Sequence, residues 1–129
     1  MKKIIRYILV AAMLLCTFVV SACGAKIENW PEDKFLRGVP SVQTGVMSGS
    51  VVSEDTQGFP YALIKVAEFT VSDMSDYIRI LKKEGWEMLY SQTVIGDMVT
   101  YSAHKKDKLI HLSCNKVKNE MSIEVELKG

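Results

Sequence analysis

The chain has 129 residues and a nearly balanced charge, with 16 lysines and arginines against 15 aspartates and glutamates. This length suits a single domain. The formal net charge of +1 argues against a nucleic-acid-binding protein, which normally carries a marked basic excess.

The first 22 residues combine early positive charge with a short apolar run. Lys2, Lys3 and Arg6 come first, and residues 7–22 are all uncharged. A transmembrane helix needs roughly 20 apolar residues, so this run is short for a permanent span. It fits the charged and apolar regions of a secretory signal peptide.

The apolar run ends in Val20, Ser21, Ala22 and Cys23. This sequence resembles the lipobox of bacterial lipoproteins, in which two small residues precede a cysteine whose thiol accepts diacylglycerol. The resemblance covers only residues 1–24. It implies a signal peptide at 1–22 and a lipid anchor at Cys23, on the outer face of the cytoplasmic membrane. An ordinary signal peptide with a coincidental cysteine and an uncleaved anchor are the alternatives.

Removal of residues 1–22 changes the charge and leaves one free thiol. The remainder carries 13 basic against 15 acidic residues, so we expect no basic patch for nucleic acid or for anionic lipid. With Cys16 removed and Cys23 lipidated, Cys114 has no partner for an intramolecular disulfide. A lone cysteine is typically a buried small hydrophobe, and the alternative is a reactive thiol.

The pattern divides the mature chain into an irregular start and a regular domain. Residues 23–42 are interpreted as the lipidated terminus, a tether and a short helical segment with Pro31 in its first turn and Asn29 or Trp30 near the cap. Residues 43–129 form the predicted single domain, which opens with an edge strand at 44–53. We expect Trp30 in the core, and the membrane interface is its alternative position.

The clearest local signals come next. Residues 59–69 are rich in β-branched and aromatic side chains and predict a strand covered on both faces. Thr70 and Asp73 predict a capping box, and Gly85 predicts the helix end. Four apolar residues between them lie on one helical stripe: Met74, Tyr77, Ile78 and Leu81.

Four further strands are predicted from three turns. A hairpin at Gly96-Asp97 pairs Val94 with Val99 and Tyr90 with Ala103. The turns at 106–107 and 116–119 then bring the apolar residues of all four strands onto one face. We predict an α+β fold, with one helix packed on a mainly antiparallel sheet and the element order β-β-α-β-β-β-β.

The same arrangement resembles a family of short bacterial lipoproteins whose domain has no assigned function. The shared features are Trp30-Pro31, a Gly/Ser-rich strand within 45–52, the strand and helix of 59–86, and the strands that end at Leu127. The resemblance covers nearly all of the mature chain, but its motifs are structural. It implies no catalytic residue.

The other face of the sheet carries the candidate chemistry. His104, His111 and Glu124 lie within reach of one another in the predicted register and are candidate zinc ligands. The alternative is an ordinary solvated polar face.

No sequence motif of a hydrolase, phosphate loop or metalloprotease occurs. We therefore expect no cofactor, no catalytic residue and a non-enzymatic binding module tethered to the membrane. It would present a sheet face or the edge strand at 46–52 to an envelope protein or other envelope component. A metal-binding lipoprotein and a small hydrolase are the alternatives. The sequence predicts no oligomeric state.

Overall fold

The computed structural model describes residues 26–128, which form one α-helix and one six-stranded antiparallel sheet. The predicted α+β class is confirmed. The element bounds are a 3-10 turn at Lys34–Leu36, β1 Val46–Glu54, β2 Pro60–Ala67, α1 Val71–Lys83, β3 Glu87–Ile95, β4 Met98–Lys105, β5 Lys108–Asn115 and β6 Glu120–Leu127. The strands lie in the order β1-β2-β6-β5-β4-β3, so β1 and β3 are the edges.

Helix α1 begins and ends at the predicted residues. The Thr70 hydroxyl accepts a hydrogen bond from the Asp73 N–H at 3.1 Å, and the Asp73 carboxylate accepts one from the Thr70 N–H at 2.9 Å. At the other end Gly85 has a φ of +95°. Its left-handed conformation lets the Trp86 N–H donate to the Leu81 carbonyl at 3.0 Å, which satisfies a terminal carbonyl of the helix.

The central strands have the predicted register. Ala103 lies opposite Ile110, and Leu112 opposite Ile123, as the two turns require. The buried side chains of β4, β5 and β6 therefore share one face, which packs under α1. They are Val99, Tyr101, Ala103, Ile110, Leu112, Cys114, Met121, Ile123 and Val125.

The prediction that β3 adds its apolar residues to this core is wrong. Met88, Tyr90 and Val94 are 52%, 70% and 61% exposed. Next to the hairpin the register is as predicted, but pairing irregularities on both sides of Tyr90 place it opposite Ser102 instead of Ala103. Since neighbouring strand residues point to opposite faces, this shift moves Tyr90 to the polar side.

Strand β2 is covered on one face only, contrary to the prediction of two. Ala62, Ile64 and Val66 are buried beneath the helix, whereas Tyr61 and Lys65 are exposed on the opposite face. The apolar residues on both faces suggested a central buried strand. Among residues 26–128, no helix lies over the second face, because the one helix packs on the first.

The N-terminal segment is part of the core. Trp30 is 7% exposed and belongs to the buried cluster with Leu36, Val39 and Val42, so packing begins before the predicted domain start at 43. The Trp86 indole donates to the Gly38 carbonyl at 3.2 Å. The short helical turn is capped by Asp33, so the predictions of Asn29 or Trp30 near its cap and of Pro31 in its first turn are wrong.

We predict that Gly45→Ala destabilises the domain more than Gly58→Ala. Both glycines have a φ above +80°, but a Cβ at Gly45 would lie 2.6 Å from Val66 Cγ1, whereas at Gly58 it meets nothing within 4 Å. Backbone strain alone costs about 1–2 kcal/mol, and overpacking adds about 1–3 kcal/mol. Urea unfolding of the two variants measures the difference, and equal free energies of unfolding would contradict this account of Gly45.

Candidate functional site

The face of the sheet opposite α1, here called the outer face, is lined mainly by polar side chains. The pairing places Ser102 opposite His111 and His111 opposite Glu124. Along each strand these residues alternate with the core residues. Because successive side chains of a strand point to opposite faces, they lie on the outer face. As predicted, His104, His111 and Glu124 share this face.

Three side chains on this face form a connected chain of hydrogen bonds. Ser102 Oγ lies 2.8 Å from His111 Nδ1, and His111 Nε2 lies 3.0 Å from Glu126 Oε1. A neutral imidazole satisfies both contacts when Nδ1 accepts from the serine hydroxyl and Nε2–H donates to the carboxylate. The register places Ser102 opposite His111, but no pattern in the sequence indicated that Glu126 would complete a hydrogen-bonded chain.

Two of the three predicted metal ligands have separate partners. His104 Nε2 lies 3.6 Å from Glu87 Oε2 on β3, whereas His111 turns toward β6. There it contacts Glu126 rather than Glu124, although Glu124 lies directly opposite it in the register. Within residues 26–128 no group of three or more His, Cys, Asp or Glu side chains is arranged to hold a metal ion.

A groove of about 480 Å³ lies beside this hydrogen-bonded chain, where β2, β6 and the turn between β1 and β2 meet. Glu126 belongs to both features. The two aromatic residues of the groove are exposed. Its principal side chains are Asp55, Phe59, Tyr61, Leu63, Glu124 and Glu126.

The turn that walls the groove is held by Asp55. Its carboxylate accepts from the backbone N–H of Gln57 at 2.8 Å and of Phe59 at 2.9 Å, and the Asp55 N–H donates to the Phe59 carbonyl at 2.8 Å. These bonds fix the position of Phe59 at the mouth of the groove. The sequence indicated a turn at 54–58 but not that it would wall a cavity.

The charges of the groove favour a cationic ligand. Three carboxylates, those of Asp55, Glu124 and Glu126, line it against a single amine from Lys128. Phe59 and Tyr61 add ring faces, which attract cations through their negative centres. The arrangement suits a ligand that carries both a positive group and apolar surface.

Cys114 is a buried core residue, as predicted. It is fully inaccessible, and its thiol donates to the Phe69 carbonyl at 3.6 Å. Burial raises the pKa of the Cys114 thiol, and the negative charge of Asp73 raises it further. Since the thiolate is the nucleophile, neither the access nor the acidity of this cysteine suits thiol chemistry.

The predicted lipid anchor at Cys23 and its lipobox residues Val20, Ser21 and Ala22 lie outside the described residues, as does the whole predicted signal peptide. Within residues 26–128 no helix is long and apolar enough to cross a membrane. The lipid anchor therefore stays a prediction from the sequence motif.

No family model, curated protein or solved structure matches the chain. The resemblances to lipobox proteins and to a family of short lipoproteins stay predictions based on the residues that carry them.

Proposed function

We propose that the chain is a membrane-tethered extracytoplasmic lipoprotein whose domain is a non-enzymatic binding module. The lipobox at residues 20–23 supports the tether, and two acyl chains give stable membrane attachment. The observation that carries the binding function is the outer-face groove with its aromatic and carboxylate lining.

The groove has the properties of a small-ligand site. Its volume of about 480 Å³ falls within the roughly 300–1,000 Å³ that ligand pockets occupy. Asp55 holds one wall in place before any ligand binds, so little ordering cost is left to binding. The proposed ligand is a small envelope component with an amine or ammonium group beside apolar surface. Tethering keeps the groove close to ligands at the membrane and raises their effective concentration.

The hydrogen-bonded chain of Ser102, His111 and Glu126 favours a second candidate, a small hydrolase. The three side chains have the contacts of a nucleophile, a base and an orienting carboxylate. However, Ser102 lies inside β4, which pairs with β3 and β5 on its two sides. Most backbone N–H groups of β4 are therefore engaged in the sheet, which leaves few to form an oxyanion hole, so we regard the hydrogen-bonded chain as a polar network.

The proposed lipid anchor is tested by the mass of the protein extracted from membranes of an expressing bacterium. We expect the denatured mass to begin at Cys23 and to include diacylglycerol, because the lipobox predicts both cleavage and modification. Cys23→Ala is the control and should lack the lipid. A wild-type mass with an unmodified cysteine, or with residues 1–22 retained, would show that the lipobox interpretation is wrong.

The groove is tested with tetramethylammonium, a cation that also presents apolar surface. We expect saturable changes in the backbone amide NMR signals of the groove and weaker binding by Tyr61→Ser, by about two- to fivefold for the loss of one exposed cation–π contact. Tyr90→Ser removes an exposed tyrosine from β3 and is the matched control. No change at the groove, or equal weakening by both variants, would contradict the proposed site.

The hydrolase candidate is tested with a fluorophosphonate probe for activated serines. We expect no labelling of Ser102, because sheet pairing leaves few backbone N–H groups of β4 as oxyanion donors. Ser113→Ala changes another serine of the outer face and is the matched control for Ser102→Ala. If the probe labels the wild type and Ser113→Ala but not Ser102→Ala, the domain is an enzyme and the proposal of a non-enzymatic binding module is wrong.

A further inference from the structure

Four cationic side chains converge at one end of the domain, contrary to the expectation that the mature chain has no basic patch. They are Arg37, Lys105, Lys106 and Lys108, here called the basic cluster, and together they line a cavity of about 210 Å³. Asp107 is the one acidic residue among the residues that line this cavity. The cluster could not be predicted from the sequence, because Arg37 is far from the three lysines along the chain.

Two cations of the cluster donate to backbone carbonyls, and within residues 26–128 none of the four is paired with a carboxylate. Lys105 Nζ donates to the Glu84 carbonyl at 2.5 Å, and Lys108 Nζ donates to the Arg37 carbonyl at 3.0 Å. Lys108 also lies 5.2 Å from the centre of the Phe35 ring. Among residues 26–128, Arg79 and Asp76 on the helix form the only ion pair that involves a lysine or an arginine. No cation of the cluster therefore lies within 4 Å of a carboxylate oxygen in this part of the chain.

The cluster adjoins the end of the domain from which the proposed tether leaves. Lys26 lines a second cavity, and that cavity shares Arg37 and Gly38 with the cavity of the basic cluster. Cys23 precedes Lys26 by three residues, which span at most about 11 Å when extended. A lipid on Cys23 therefore holds this end of the domain near the headgroups.

We propose that the basic cluster docks on the anionic headgroups of the membrane and fixes which side of the domain faces the lipid. The inference rests on the proposed tether for its geometry. Each basic residue at an anionic surface strengthens binding by about fivefold. The attraction acts only within about 10 Å at 0.1 M salt, a distance that the short tether can maintain.

The test measures how fast individual lysines of the membrane-extracted protein react with a membrane-impermeant acetylating reagent. The protein is placed in vesicles of phosphatidylcholine alone or of phosphatidylcholine with phosphatidylglycerol. We expect Lys106 to react roughly fivefold more slowly in the anionic vesicles, and high salt to abolish the difference. Lys116 and Lys118, in the turn at the opposite end of β5, serve as internal references. An equal Lys106-to-Lys116 ratio in both lipids would overturn the proposal.

Two matched double variants distinguish an effect of the basic cluster from an effect of net charge. Lys106→Gln/Lys108→Gln should reduce the lipid-dependent protection of Lys105, whereas Lys116→Gln/Lys118→Gln, with the same loss of charge, should not. Equal loss in both variants would overturn the proposal, as would equal protection of Lys106 by inorganic phosphate without vesicles.

The mass of the same sample distinguishes failure of the tether from failure of the docking surface. If the mass shows no lipid, the tether is wrong and the protein is added to preformed vesicles. Protection of Lys106 that depends on phosphatidylglycerol then still supports docking, and its absence overturns it.

Discussion

A single helix has to cover a sheet much wider than itself, and most of the structure follows from this. Six strands span about 24 Å, whereas a helix with its side chains is about 10–12 Å across. Helix α1 packs on the central strands, and the N-terminal segment adds Trp30, Leu36 and Val42 to the same core. The Tyr77 hydroxyl and the Trp86 indole hold this segment through the carbonyls of Pro40 and Gly38.

Because the single helix covers only part of the sheet, the remaining surfaces stay open for binding. The whole outer face stays open, and its polar positions form the hydrogen-bonded chain through His111. The turn after β1 folds beside this open face and makes the groove. Strand β3 extends beyond the cover and leaves Val94 exposed, although Val94 lies opposite the buried Val99. A second layer of helices on the outer face would have buried the hydrogen-bonded chain and the groove.

The net charge of this protein is small, so its charged side chains act through their local arrangement. The basic cluster and the acidic groove are local features of a chain with nearly balanced charge. The groove presents carboxylates and aromatic rings, which would suit a cation. The cluster presents cationic side chains with no carboxylate within 4 Å among residues 26–128, which would suit an anionic surface. The proposed tether would connect the two surfaces, since it would bring the cluster to the lipid and keep the groove close to the membrane.

The sequence by itself determined the local features: the capping box at Thr70, the helix end at Gly85 and the registers of β4, β5 and β6. These depend on residues close in the chain, whose turn chemistry and alternation act locally. Only the tertiary structure decided the exposure of β3, the open face of β2, the groove and the basic cluster. Each depends on how far one helix reaches, or on residues such as Arg37 and Lys106 that meet only after the chain has folded.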